Sequence, residues 1–263
     1  MSVVSGNVLL TGATGGIGRS IARAFAAQGA DLVLTGRRAD VLEPLAAEVG
    51  GRALACDLGD GAAVDRLVAV AGAVDVLVAN AALPASGPLL EYTQEQIDRA
   101  LEVNLRAPIA LARALAPGMV ERGRGHLVFI SSLAGKAAAP GSSLYSATKF
   151  GIRGFALCLR EDLRSTGVGV SIVFPGFIRN AGMFADSGAE LPRGIGTRSP
   201  QQVASAVIRA IERNRAEIDV APVGLRVGTA LAGLAPQTSA SVSRLIGSDS
   251  ISATISRGQR EKR

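Results

Sequence analysis

The stretch YSATK places Tyr145 and Lys149 four residues apart, on one face of a helix and one turn from each other. A phenol with its ordinary pKa of about 10 exchanges protons poorly at neutral pH. An ammonium held beside it stabilises the phenolate and makes the tyrosine usable as a general acid or base. An isolated pair of this kind is also ordinary helix surface, so the neighbours decide. Ser132 stands thirteen residues before Tyr145, at the end of a strand pattern. A second chemical feature is TGATGGIG, residues 11–18, set between the apolar run Val8–Leu10 and the helix-like RSIARAFAAQG. Its glycines, Gly12, Gly15, Gly16 and Gly18, fit neither G-x-G-x-x-G nor a phosphate loop ending in Gly-Lys-Ser/Thr. Whether this turn holds a phosphate depends on the rest of the chain.

The elements that must position these residues are visible as apolar runs. Strands are expected at 7–11, 31–35, 52–57, 74–80, 126–131, 168–174 and 217–221. Most are continuous rather than alternating, as for strands buried on both faces. Between them run amphipathic helices: Ile17, Ile21, Ala24 and Phe25 share one face, as do Ile152, Phe155, Leu159 and Leu163. Capping boxes are expected at Thr93 with Gln96 and at Ser199 with Gln202, Pro200 taking the first helical position. The alternation predicts an α/β fold, a single doubly wound Rossmann-type domain over residues 1–263. Its seven parallel strands carry helices on both faces. The unusual residues then fall on one rim, where such sheets bind ligands.

Composition narrows the function. Of 263 residues, 48% are hydrophobic and 19% charged, enough for a sizeable core and against global disorder. The net charge of +6 and pI of about 10.1 would suit nucleic acid, but the basic residues are scattered and only 3% of residues are aromatic. No stacking motif accompanies them, so nucleic acid is not expected as a partner. No apolar stretch approaches the roughly 20 residues of a membrane span. Cys56 and Cys158 read as small buried hydrophobes in a reducing, cytoplasmic setting, with no metal site. His126 is read as structural, since it opens the fifth strand away from the rim.

With TGATGGIG, CDL, NAA, VNL, ISSLAG, YSATK and PG in this order, the chain resembles the short-chain dehydrogenase/reductase family over about residues 5–180. The resemblance implies an NAD(P)-dependent oxidoreductase. It makes Ser132 the hydroxyl that holds the substrate oxygen, and Tyr145 the proton donor or acceptor. Lys149 lowers the tyrosine pKa and holds the nicotinamide ribose. Asn104 anchors a water in the proton relay. The cofactor set it implies is Gly12, Thr14, Gly15, Gly16, Ile17, Gly18, Arg37, Asp57, Leu58, Asn80, Tyr145, Lys149, Pro175, Gly176 and Ile178. It further implies a homodimer or homotetramer through the helices of Asn104 and Tyr145. The chain departs from the family pattern at Ala79 and Ala82, beside Asn80, and at Asn180, where a threonine usually faces the carboxamide.

NADP(H) is the expected cofactor, with NAD(H) as the alternative. Strand two ends in Gly36 rather than an acid that accepts from a ribose hydroxyl, and Arg37 and Arg38 follow. Arg37 is the residue that pairs with a 2′-phosphate. Residues 177–198 are expected to form a lid, with Phe177, Met183 and Phe184 closing over a substrate pocket. The expected substrate is an apolar carbonyl compound or alcohol. An acyl-thioester ketoreductase docking through Arg179 and Arg193, and a non-catalytic redox sensor, are the alternatives. Residues 222–263 form a C-terminal extension whose role the sequence leaves open.

Overall fold

The computed structural model describes residues 3–189, 191, 195–234 and 248–259, the last helix with side chains from 254 onward. Arg193 and Gly194 lie outside the described residues. The strands are β1 Asn7–Thr11, β2 Asp31–Gly36, β3 Arg52–Ala55, β4 Val76–Ala79, β5 Gly125–Ile130, β6 Val168–Pro175 and β7 Glu217–Val220. They form one parallel sheet in the order β3-β2-β1-β4-β5-β6-β7. Every expected strand is present. The strand expected to open at Val74 begins instead at Val76, because the Asp75 carboxylate accepts from Asn7 N and faces Arg122 and Arg124.

Helices α1 Gly16–Ala26, α2 Ala39–Val49, α3 Gly61–Ala71 and α4 Gln94–Leu101 follow the first four strands. A π-helical stretch, Glu102–Arg106, joins α4 to α5 Ala107–Glu121. Then come α6 Ser143–Asp162, the short α7 Gly182–Ala185, α8 Pro200–Glu212, α9 Val223–Leu234 and α10 Ser248–Gln259. Both capping boxes are formed, Thr93 with Gln96 on α4 and Ser199 with Gln202 on α8.

The sheet separates two apolar layers. Ile21 and Phe25 of α1, Leu42 of α2 and Val203 and Val207 of α8 pack on one face. Val64 of α3, Leu111 and Met119 of α5 and Ile152 of α6 pack on the other. Phe25, Phe129 and Phe174 are fully buried, each contributing about 1.5–3 kcal/mol of apolar burial. Cys158 corrects one expectation: it is exposed, because α6 buries Ile152 and Ala156 and turns position 158 outward. The strand order reverses between β1 and β4, so a crevice opens beyond their carboxyl ends.

Candidate active site

At that crevice the chain leaves β1 through Gly12, whose φ of 65° is a left-handed conformation suited to glycine. A side chain there would also collide with Ala81, its Cβ lying 2.7 Å from Ala81 Cα. Asn80 fixes this approach. Its Nδ2 donates to Thr11 O at 3.1 Å and to Gly12 O at 3.0 Å. Thr11 Oγ1 in return accepts from the backbone N–H of Asn80 and Ala81, both at 3.0 Å. The substitutions at Ala79 and Ala82 therefore leave the Asn80 clamp intact. Helix α1 starts directly after this turn with Gly15 as its N-cap, which has no side chain to cap it. Helices α3, α4 and α8 are capped by Asp60, Thr93 and Ser199. Each of those caps satisfies one first-turn N–H, while the uncapped start of α1 lines the crevice.

The end of β5 is tied to α6 just as closely. Ser131 Oγ donates to Lys149 O at 3.1 Å, and Gly135 lets the turn Leu133–Gly135 lie against the Lys149 backbone. Ser132 Oγ accepts from Ala134 N at 3.2 Å, which leaves its own proton to turn toward the Tyr145 hydroxyl and oppose the rise of that phenol's pKa. Lys149 Nζ donates to Ile130 O at 3.0 Å and lies 5.6 Å from the Tyr145 ring centre. Ser132, Tyr145 and Lys149 are thus one cluster. Below them, Lys136 Nζ pairs with Asp219 at 2.7 Å and Glu217 at 2.9 Å, and Arg153 of α6 reaches Glu217 at 2.7 Å. That network binds the Ser132 turn and α6 to β7. Nothing in the sequence pattern marks it.

One cavity of about 1390 Å³ joins the two corners. It is lined by every residue expected at the site except Asn104, from Gly12 and Arg37 at one end to Met183 and Phe184 at the other. With this geometry in place, the similarity to known proteins is specific: residues 6–191 match the short chain dehydrogenase family. The chain belongs to the short-chain dehydrogenase/reductase family. It is an enzyme of that oxidoreductase class. It is 36% identical over 230 residues to the ketoacyl reductase HetN of a Nostoc species, covering 84% of this chain and 80% of that protein. Dehydrogenase/reductase SDR family member 7B of Xenopus laevis is 35% identical over 252 residues, covering 87% of this chain and 78% of that protein. Among solved structures, a short-chain dehydrogenase from Sphingobium yanoikuyae in complex with NADPH superposes with a TM-score of 0.76. It is 30% identical, covering 88% of this chain and 95% of the other. The closed form of a serine dehydrogenase complexed with NADP+ gives a TM-score of 0.74 at 31% identity, covering 82% and 95%.

The surroundings of three of the expected residues add detail to this site. Burial pushes the Tyr145 phenol up to about 12 against the opposing Ser132 hydrogen bond, and pulls the Lys149 ammonium down to about 8. Lys149 Nζ turns to Ile130 O, and burial dominates the shift of both groups. Asn104 is buried but spends its side chain on Leu83, accepting from the backbone N–H at 2.6 Å and donating to the carbonyl at 2.9 Å. It holds the segment after β4 and does not reach the cavity. Asn180 is exposed, with a left-handed φ of 65°, and the cavity wall beside it is Ala181, which closes against Gly16.

Other residues sit as expected or extend the site. Asp57 forms an ion pair with Arg99 at 2.9 Å, which holds its carboxyl below the usual range, and also accepts from Gly59 N at 2.9 Å. Arg37 lines the cavity beside it. The Gly36 position leaves room for Thr14, whose atoms would lie 3.3 Å from an added Cβ. The C-terminal extension also answers its open role. Leu225, Leu231 and Leu234 of α9, with Ile255 and Gln259 of α10, form part of the cavity wall.

Proposed function

We propose that the protein reduces a carbonyl group on an apolar small molecule with NADPH, or runs the reverse oxidation of a secondary alcohol. The observation that carries this reading is the convergence of Ser132, Tyr145 and Lys149 on the wall of a cavity that also reaches the glycine turn and Arg37. The site fits a dinucleotide on its own terms. Gly12 and Gly18 let the turn pack tightly on Ala81 and on itself, and the uncapped start of α1 lines the cavity, where a pyrophosphate would meet its backbone N–H groups. Arg37 would take a 2′-phosphate, Asp57 and Leu58 would border the adenine, and Pro175, Gly176 and Ile178 would border the nicotinamide. Bound there, the reduced nicotinamide supplies a hydride to the carbonyl carbon.

The chain's own residues do the rest. Ser132 and Tyr145 donate hydrogen bonds to the substrate oxygen and favour the negative charge that develops on it. Tyr145, holding its proton across the neutral range, passes it to that oxygen. The nascent alkoxide is a stronger base than a phenolate, so the transfer runs downhill. Lys149 places a positive charge beneath the phenolate that remains. Asn104 acts by fixing the Leu83 segment on the opposite wall. Residues 177–198 would cover the substrate end, where Phe177 and Phe184 stack at 4.9 Å and line the cavity with Met183. An oligomer is part of this reading, since Phe150 of α6 and Val120 of α5 stand exposed.

The identity to a ketoacyl reductase favours a second version in which the carbonyl is carried on a thioester. Arg179, exposed just beyond β6, is available to dock such a carrier. Incubation with NADPH or NADH and a panel of ketones, free and thioester-linked, tests both versions. NADPH should be preferred, and Arg37→Ala should cut that preference by about ten- to a hundredfold through loss of a charge-assisted contact. Equal kcat/KM with the two cofactors in the unmodified protein would contradict the NADPH assignment.

A further inference from the structure

At the end of the cavity that holds the glycine turn, three charged side chains stand on the wall: Arg37 after β2, Asp57 after β3 and Arg99 in the last turn of α4. They are not equivalent. Arg99 Nη2 donates to both oxygens of Asp57, at 3.2 Å to Oδ1 and 2.9 Å to Oδ2, and Gly59 N donates to Oδ1 at 2.9 Å. The guanidinium lies over Gly59, where an added Cβ would be 2.8 Å from Arg99 Nη1. Arg37 is near enough to help hold the Asp57 carboxyl below its usual range, yet it makes no ion pair among the described residues.

Fold stability does not account for the Arg99 pair. Its partners are 40% and 43% exposed, and ion pairs so open to water add little to a fold. Its consequence is local and electrostatic. A bare Asp57 carboxylate would compete for Arg37 and repel any anion drawn to it. With Arg99 on the carboxylate the pair is neutral as a whole, and Arg37 keeps an uncompensated positive charge on the cavity wall.

We propose that Arg99 sets the preference for a 2′-phosphate by neutralising Asp57, which leaves Arg37 to bind that phosphate. The proposal rests on the reading of the cofactor as NADPH and adds a residue to it. Arg99 is a positioning residue in this scheme: it acts through Asp57 and not on the phosphate.

The test measures binding of two probes to the full-length protein by calorimetric titration, adenosine 2′,5′-bisphosphate and adenosine 5′-monophosphate. Both carry the adenine, so their affinity ratio isolates the 2′-phosphate, and neither can transfer a hydride. The unmodified protein should favour the bisphosphate, and Arg99→Met should cut that ratio about five- to tenfold. Arg99→Gln serves should the methionine variant not fold. Arg99→Lys, which keeps the charge, should keep most of the ratio. The deciding variant combines Arg99→Met with Asp57→Asn. With no carboxylate to neutralise, its ratio should stay within about twofold of that of Asp57→Asn alone. A ratio that still falls in the double variant would mean that Arg99 binds the phosphate itself, and overturns the proposal. Equal weakening of both probes by Arg99→Met, the mark of a merely structural pair, overturns it too. If the unmodified protein binds the two probes alike, the NADPH reading fails and takes the proposal with it. If it prefers the bisphosphate and Arg99→Met keeps that preference, the proposal alone fails.

Discussion

Two bases are buried at opposite ends of β5, and only one of them faces the cavity. His126 lies near the strand's start, and burial, with Arg160 adding to it, pulls its imidazole down to about 3. Its Nε2 meets Ser171 Oγ at 2.8 Å, and Ser171 in turn donates to Arg215 O at 2.6 Å. Ser171 must therefore accept from His126, which fixes the Nε2–H tautomer of a neutral ring. The facing residue in the register, Gly169, leaves the space that the ring occupies. Lys149, beyond the strand's other end, is 3% exposed and pulled down to about 8. Ile130 O satisfies one of the three donors of its ammonium, and the cavity lies beside it. Burial shifts both groups the same way. What separates structure from chemistry is whether the buried group opens on the cavity.

The largest effect that would sharpen this contrast is at Lys149. Its folded pKa is below the ordinary 10.5, so its neutral form is favoured by the fold. That contribution to stability is present above pH 10.5 and is lost as pH falls to about 8, leaving the ammonium as a net cost at neutral pH. Lys149→Met should lower kcat/KM at least about a hundredfold while raising the melting temperature, read by thermal unfolding alongside turnover. A melting temperature that falls would show the ammonium to be structurally satisfied and remove the distinction.

At the other end, Gly169→Ala drives a methyl into the His126 ring. It should destabilise the fold by about 1–3 kcal/mol, as overpacking does, with kcat per folded molecule unchanged. Denaturant unfolding and active-site titration together read this, and a selective loss of kcat would connect His126 to the chemistry. A smaller effect follows from titration. Because the folded pKa of His126 is depressed, its neutral form contributes stability that is full above about pH 6.5 and declines as pH falls toward 3. His126→Leu should flatten the dependence of unfolding midpoint on pH in that window. An unchanged slope would place the acid sensitivity elsewhere.

Much of this was legible in the sequence because strands covered on both faces must be apolar throughout. Hence β1, β5 and β6 could be read almost to the residue, while β4, with Asp75 at its edge, could not. The glycine turn, Asn80, Ser132, Tyr145 and Lys149 were legible as types at fixed spacing, and they do meet. Their partners were less so. Asn104 reads as a buried amide, but its bond to Leu83 reaches back across the start of a helix and depends on the π-helical turn. The sequence pattern of α9 hides its role, since Val223, Val227 and Leu231 leave apolar surface exposed while Ala232 is buried.

The central claim is that Tyr145 supplies the proton. Tyr145→Phe removes that proton and keeps the ring, so NADPH binding, followed by fluorescence titration, should stay close to that of the unmodified protein. Turnover of the best ketone in the panel should drop by about a hundredfold or more. Near-native turnover by Tyr145→Phe, with cofactor still bound, would contradict the account.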